Sequence, residues 1–358
     1  MTFPLAPGSS IGILGGGQLG RMLALAAARL GFDVVILEPE PDSPASRVAS
    51  RTIQAAYDDP KALAELAACT SVITYEFENV PAAAVALLAE LGAEVAPNAR
   101  SLAVAQDRVA EKTFLNESGV ATVRFAPVAN LEELAEAVGF LGVPSLLKTR
   151  RDGYDGKGQH WVEHPAEAEG VFATLGAKAS ILEAAAAFNR ELSIIAARGR
   201  GGEVAVYPVG ENHHEQGILK RTRAPARLSE ATAAQAIEIA HRVVGNLDYV
   251  GVIGIELFEV AEGQLLVNEI APRVHNTGHW TQDGCAVDQF EQHIRAVAGW
   301  PLGPTEALCH VEMLNLLGSE VENWPKLSSE ADTRLHLYGK RDAKPGRKMG
   351  HVNRLSPL

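Results

Sequence analysis

Apolar residues at 11–14 precede the glycine-rich turn Gly15-Gly16-Gly17-Gln18-Leu19-Gly20, and alanines and leucines then recur at helical spacing over 21–30. This pattern predicts a strand, a tight turn and a helix stopped by Gly31. A second strand over 34–37 ends at Glu38, and a later one over 71–75 runs into Glu76. Strands alternating with helices imply a parallel sheet with helices on both faces. The charged, alanine-rich stretch 100–119 reads as one helix carrying Arg108 and Lys112.

Past that helix the texture changes. Strand-like segments at 144–148, 180–182, 191–197 and 203–208 surround a glycine-rich loop, 151–158, and fit antiparallel sheets of an α+β domain. A helix over 229–247 precedes strands 252–260 and 264–270, joined by a turn at Glu262-Gly263. After Trp300, proline and glycine become frequent, and short strands at 310–314 and 334–338 suggest a small third unit. The pattern therefore predicts an α/β region followed by an α+β region.

Composition narrows the function classes. With 358 residues, 47% hydrophobic and 21% charged, the chain can bury substantial cores and is neither disordered nor fibrous. A formal net charge of −12 argues against nucleic acid or an anionic membrane as partner, so any phosphate must be met by local cations. The scattered Cys69, Cys285 and Cys309 suit small buried residues in a reducing compartment better than disulfides or a zinc site. The first twenty residues lack a basic region followed by an apolar core, and Arg29 interrupts the apolar stretch from Met22. The expected location is cytoplasmic.

Three local patterns carry chemistry. Gly15-x-Gly17-x-x-Gly20 between strand and helix, with Glu38 ending the second strand, matches a dinucleotide fingerprint and taken alone favours an NAD-dependent dehydrogenase. Its physical content is narrower, a backbone able to approach a ligand. Lys148 closes an apolar strand, and Gly153-Tyr154-Asp155-Gly156-Lys157-Gly158-Gln159 follows. Three glycines with a lysine suit a loop covering polyphosphate. Finally, a two-residue turn at Glu262-Gly263 would pair Ala261 with Gln264 and set Glu256 opposite Glu269. Two like charges so placed repel, and Mg²⁺ bridging to nucleotide phosphates would resolve the conflict.

In this order the pieces resemble the ATP-grasp superfamily, over almost the whole chain. Together with Asn268-Glu269-Ile270-Ala271-Pro272-Arg273, His275-Asn276-Thr277-Gly278-His279-Trp280-Thr281 and Gly346-Arg347-Lys348-Met349-Gly350-His351, they look like the N5-carboxyaminoimidazole ribonucleotide synthase family. The resemblance implies an ATP-grasp fold with three parts: a Rossmann-like pre-ATP-grasp domain over 1–105, an ATP-grasp domain over 106–298 with a mobile lid at about 122–186, and a small β-rich domain over 299–358.

It further implies ATP contacts at Arg108, Lys148, Gly153, Tyr154, Asp155, Gly156, Lys157, Gly158, Gln159, the hinge Glu183, Ala184, Ala185 and Ala186, Glu191, His214, Asn268 and Glu269. Magnesium would be held by Glu256 and Glu269, and the ribonucleotide by Glu76, Tyr154, Asp155, Arg273, His275, Asn276, Lys340, Arg347 and Lys348. His275 and His279 are read as substrate contacts rather than a metal pair. The alanine-rich hinge, Val274 for a common proline and Thr277 for a common serine depart from the family pattern; Thr277 keeps the hydroxyl.

The implied reaction is carboxylation of 5-aminoimidazole ribonucleotide by ATP and bicarbonate through carboxyphosphate, in purine biosynthesis, by a homodimer. Asp155, Arg273 and Lys348 are the candidates for the chemical step. Another ATP-grasp ligase, either a formate-dependent glycinamide ribonucleotide transformylase or a biotin carboxylase-like enzyme, would keep the ATP residues and change the acceptor. The motif at 346–351 argues against both.

Overall fold

The computed structural model describes residues 2–151, 153 and 158–358. Among these residues, three sheets carry the chain. The first is parallel, in the order Arg51–Ile53, Asp33–Leu37, Ser10–Leu14, Val72–Tyr75. Alternation along its strands sorts the faces. Ile11, Ile13, Val34 and Ile36 pack beneath the helix Gln18–Arg29, while Leu14, Val35 and Leu37 pack with Leu63 and Leu66 of the helix Pro60–Cys69 and Leu88 of Ala82–Glu90. Gly31 has φ 79°, the left-handed geometry that ends the first helix.

The stretch expected as one helix over 100–119 is two, Ala99–Ala105 and Arg108–Glu117. Asp107 makes the break. Its carboxylate accepts from the N–H groups of Val109 and Ala110, an N-cap that competes with continuing the helix. It also pairs with Arg150 at 2.6 Å, pinning this helix start to the strand Ser145–Thr149 that leads into the glycine loop.

A second, four-stranded antiparallel sheet orders Phe125–Val128, Ser180–Ala184, Ser145–Thr149 and Gln159–Val162. It has its own core, in which Leu147 and Leu182 meet Leu134 and Phe172 of the helices Leu131–Leu141 and Ala168–Thr174. The third sheet has nine strands, eight in one order and a ninth, Val204–Val206, paired beside it with Arg190–Arg198. Leu265–Ala271 lies at one edge, followed by Gly251–Glu259, Arg190–Arg198, Gly210–Glu215 and Ile218–Ala224. The strands after Trp300, expected as a small unit, continue this sheet as His310–Leu317, Lys348–Ser356 and Thr333–Leu337, joined through the pairs Arg221↔Leu314 to Ala224↔Val311.

The helix Gln289–Ala298 fills the gap between the first and third sheets, with Phe290 and Ile294 in their shared core. His293 joins the two directly. Its Nδ1 accepts from Val252 N–H, so its Nε2–H is left to donate to Thr74 Oγ1 at 2.8 Å, and burial keeps the ring neutral. Among the described residues no helix is long and apolar enough to cross a membrane.

Candidate active site

Glu256 and Glu269 do face each other, although the turn does not put them there. The connection is a 3-10 turn, Ala261–Gly263, and Val260 N–H donates to Gln264 C=O, so the register beside the turn is one residue away from the expected one. Leu257 therefore pairs with Val267. A bulge at Asn268 then inserts one residue, and the next pair is Glu256↔Glu269. Burial and the charge of Glu269 push the Glu256 carboxyl up to about 7.

The neighbouring cations come from two other elements. Arg108, the first residue of its helix, reaches Glu269 at 3.1 Å. Lys148, on the strand Ser145–Thr149, donates to Glu183 at 2.8 Å, and Glu183 lies on the adjacent strand of the same sheet. Burial pulls the Lys148 ammonium below its usual range, with Glu183 opposing, while Glu183 is held low against its own burial by Lys148 and Lys112. Lys112 is itself enclosed, 3.3 Å from Glu183.

Arg108, Lys148, Glu256 and Glu269 border one cleft of about 680 Å³ between the three sheets. Of the expected nucleotide and metal residues, Arg108, Lys148, Gly153, Gln159, Glu191, His214, Glu256, Asn268 and Glu269 line it. Glu191 and His214 are joined, Oε2 to Nδ1, at 2.6 Å; burial opposes a proton on that ring, but Glu191 and then Glu256 raise its pKa on balance. Glu183 lies behind the wall, turned to its lysines, and Gly158 and Ala184 to Ala186 are likewise not in the lining. Tyr154, Asp155, Gly156 and Lys157 lie outside the described residues. Leu146 and Phe258 supply apolar walls, and Glu78 and Glu111 add carboxylates; none of these four was singled out from the sequence. The signal available for Glu111 was its place three residues after Arg108, on the same helix face.

The glycine turn is filled from within the protein. Glu76 accepts from the N–H groups of Gly17 and Gly20, and a Cβ added at Gly17 would lie 2.6 Å from Glu76 Oε1. Glu38 accepts from Gly16 and Glu40 N–H and from the Tyr57 hydroxyl. The acidic residue a dehydrogenase would turn toward a ribose is thus spent on the loop itself, and the fingerprint is a packing device here. Glu76 nevertheless lines the cleft, with its pKa raised by burial against the two N–H donors.

Arg273, His275, Asn276 and Lys348 also line the cleft. Arg273 grips Glu78 through Nε and, at 2.9 Å, NH2. His275 Nδ1 meets the Thr277 hydroxyl at 2.8 Å, so the departure from serine preserves that contact. Its Nε2 stands 3.6 Å from Glu256, a distance fit for an ion pair, but burial together with Arg273 and Lys348 holds the ring neutral. Among the described residues the buried Asn276 Oδ1 has no hydrogen-bond partner. Lys340 donates to the Lys348 carbonyl at 2.8 Å and Arg347 to the Asp342 carbonyl at 3.2 Å, and neither is in the lining.

His279, expected as a substrate contact, does not line the cleft. It is fully buried, stacked at 4.7 Å on His351, which stacks in turn on His336. Its spacing from His275 put both in one motif, yet the intervening 3-10 turn, Asn276–Gly278, sends His279 into the core.

A family model of the ATP-grasp domain matches residues 113–290, one of the ribonucleotide synthetase pre-ATP-grasp domain matches 9–106, and one of the phosphoribosylaminoimidazole carboxylase C-terminal domain matches 312–357. An N5-carboxyaminoimidazole ribonucleotide synthase of Brucella melitensis biotype 1 is 53% identical over 355 residues, covering 99% of this chain and 98% of its own. The chain belongs to this family. It is accordingly an ATP-dependent ligase with the ATP-grasp fold. A solved ADP complex of an N5-carboxyaminoimidazole ribonucleotide synthetase superposes with a TM-score of 0.96 at 42% identity, covering 100% of this chain and 95% of that one. The Aspergillus clavatus enzyme in complex with ADP and 5-aminoimidazole ribonucleotide superposes with a TM-score of 0.91 at 31% identity, covering 98% and 94%.

Proposed function

We propose that the family's reaction, ATP-dependent carboxylation of 5-aminoimidazole ribonucleotide in purine biosynthesis, runs in this cleft, with nucleotide and magnesium beside the bulged strand and the ribonucleotide beside Arg273 and Lys348. The observation that carries this reading is that two opposed carboxylates, Glu256 and Glu269, share one cleft with the cations Arg108 and Lys148 and with Arg273 and Lys348. Two facing carboxylates fit magnesium, which keeps waters and phosphate oxygens in its remaining positions; among the described residues no group of three metal-binding side chains occurs. Bound there, the ion would spread the charge of the phosphate oxygens.

On the chain's side, Lys148 and Arg108 receive negative charge as a bicarbonate oxygen forms a bond to the γ-phosphorus and the bond to ADP breaks. Lys157 belongs to the same group on resemblance. The carboxyphosphate so formed releases phosphate and CO2, and the substrate's exocyclic amine bonds to that carbon and gives up a proton. We assign its acceptance to Asp155, with Arg273 and Lys348 holding the reacting groups. The sheet 125–184 has its own core, as a lid that closes and keeps water from carboxyphosphate requires. Glu76, His275, Asn276, Lys340 and Arg347 complete the ribonucleotide site, the backbone of 183–186 reads adenine, and the enzyme works as a cytoplasmic homodimer.

Phosphate release with bicarbonate, with and without the ribonucleotide, tests this when labelled carbon is followed into acid-labile product. One carbon captured per phosphate, only with that substrate, is expected; turnover without capture would redirect the acceptor site. For Asp155→Asn we expect a lower kcat at saturating substrate, by about 100-fold. Unchanged turnover would remove Asp155 from the chemical step.

A further inference from the structure

Glu269 owes its place to a bulge, and a bulge leaves backbone groups outside the ladder that something else has to hold. One helix does this. Residues Arg108, Glu111 and Lys112 stand at i, i+3 and i+4, on a single face of Arg108–Glu117, and they grip three consecutive residues of the bulged strand. Lys112 Nζ donates to the carbonyl of Asn268 at 3.1 Å. Arg108 pairs with the Glu269 side chain, and Glu111 Oε1 accepts from Ile270 N–H at 2.6 Å.

The grip extends to the lid. Lys112 lies 3.3 Å from Glu183, a charge contact without hydrogen-bond alignment, and Glu183 holds Lys148 at 2.8 Å through its other oxygen. The side chains of Lys112 and Glu183 are only 1% and 5% exposed. Burying an ammonium is costly, and a neutral donor would satisfy one carbonyl more cheaply. A lysine here does more than a neutral donor can, since it connects the strand of Glu269 to the carboxylate that positions the lid's lysine.

We propose that Glu111 and Lys112 are positioning residues that set the separation of the Glu269 carboxylate from the Lys148 ammonium, and with it the affinity of the site for magnesium–ATP. This rests on the reading that Glu256 and Glu269 hold the metal. Glu111 borders the cleft, but its carboxylate is engaged by the backbone N–H after Glu269, and Lys112, outside the lining, acts on the backbone before Glu269 and on Glu183.

The test is magnesium-dependent ATP turnover of the full chain in Lys112→Met, Lys112→Arg, Glu111→Leu, Glu111→Gln and Glu256→Gln. Supporting partners around a metal site typically change affinity by about 10- to 100-fold. We expect Glu111→Leu and Lys112→Met to raise the magnesium–ATP concentration needed for half-maximal rate by that factor. The KM for the ribonucleotide should stay within about two-fold. Glu111→Gln, which keeps an oxygen acceptor, and Lys112→Arg, which keeps the charge, should recover most of the loss. If Lys112→Met does not fold, Glu111→Leu against Glu111→Gln decides by the same readout.

A magnesium requirement unchanged in folded Glu111→Leu, or a loss shared equally with the ribonucleotide KM, overturns the proposal. If Glu256→Gln also keeps the wild-type requirement, the metal assignment itself is what failed.

Discussion

Glu256→Gln is expected to slow ATP cleavage by about 1,000-fold and, at the same time, to make the ligand-free protein harder to unfold. Both effects follow from the same pair. Without a metal ion, two carboxylates face each other across adjacent strands, Glu269 paired with Arg108 and Glu256 pushed to about 7 by burial and by its partner's charge. The nearest candidate counter-charge on that side, His275, is held neutral. Glutamine keeps the shape and removes the repulsion, so the free fold gains what the bound metal loses.

The sign of the pH dependence is fixed by the same shift. Folded Glu256 holds its proton up to about pH 7, whereas the unfolded chain releases it near 4.5, so the folded state binds more protons between these values. This residue's contribution therefore favours folding at the acid end of that window and is lost as pH rises through about 7. Denaturation midpoints of the ligand-free protein, measured from pH 5 to 8, should fall with pH more steeply for the wild type than for Glu256→Gln. Parallel curves would mean that the pair is solvated and carries no such tension. The test needs no turnover, so it stands apart from the kinetic loss.

The case of this pair also shows how far the sequence could be read. Periodicity found the hairpin because Ile253, Ile255, Leu257 and Val267 bury in a regular order. Its register came out right at Glu256 and Glu269 by cancellation: the turn shifts it by one residue and the bulge at Asn268 shifts it back. A bulge has no local sequence signal as plain as Asn-Gly in a tight turn, since the helix that holds it lies about 160 residues earlier in the chain. The Asp107 break was locally readable, because aspartate followed by a fresh amphipathic run is a helix start. The glycine turn misled in another way. Its spacing is that of a phosphate-binding loop, but the carboxylates that fill it come from Glu38 and Glu76, which only the sheet order brings there.

Arg273 is where the second large effect is expected, and it separates capture of carbon from cleavage of ATP. Its side chain is 11% exposed and takes Glu78 with two guanidinium nitrogens, which fixes the plane of the group in the cleft. Removing it in Arg273→Met leaves Glu78 short of its partner, a loss of up to about 3 kcal/mol of stability, and on the proposed assignment takes a planar anion-binding group from the ribonucleotide. Lysine restores a charge for Glu78 but not the planar fork, so Arg273→Lys should recover most of the stability and little of the coupling.

The expected result for both variants is a fall in carbon capture of about 1,000-fold with a much smaller fall in bicarbonate-dependent phosphate release, because Lys148 and Arg108, the groups proposed to meet the phosphates, are untouched. The deciding quantity is the ratio of labelled carbon to phosphate. A ratio that stays at one in folded Arg273→Lys would mean that Arg273 serves only to hold Glu78, and the ribonucleotide would then have to be oriented from the Lys348 side of the cleft. A ratio near zero with ATP still turning over would show that the cleft makes its activated carbon without the fixed guanidinium and needs that group to use it.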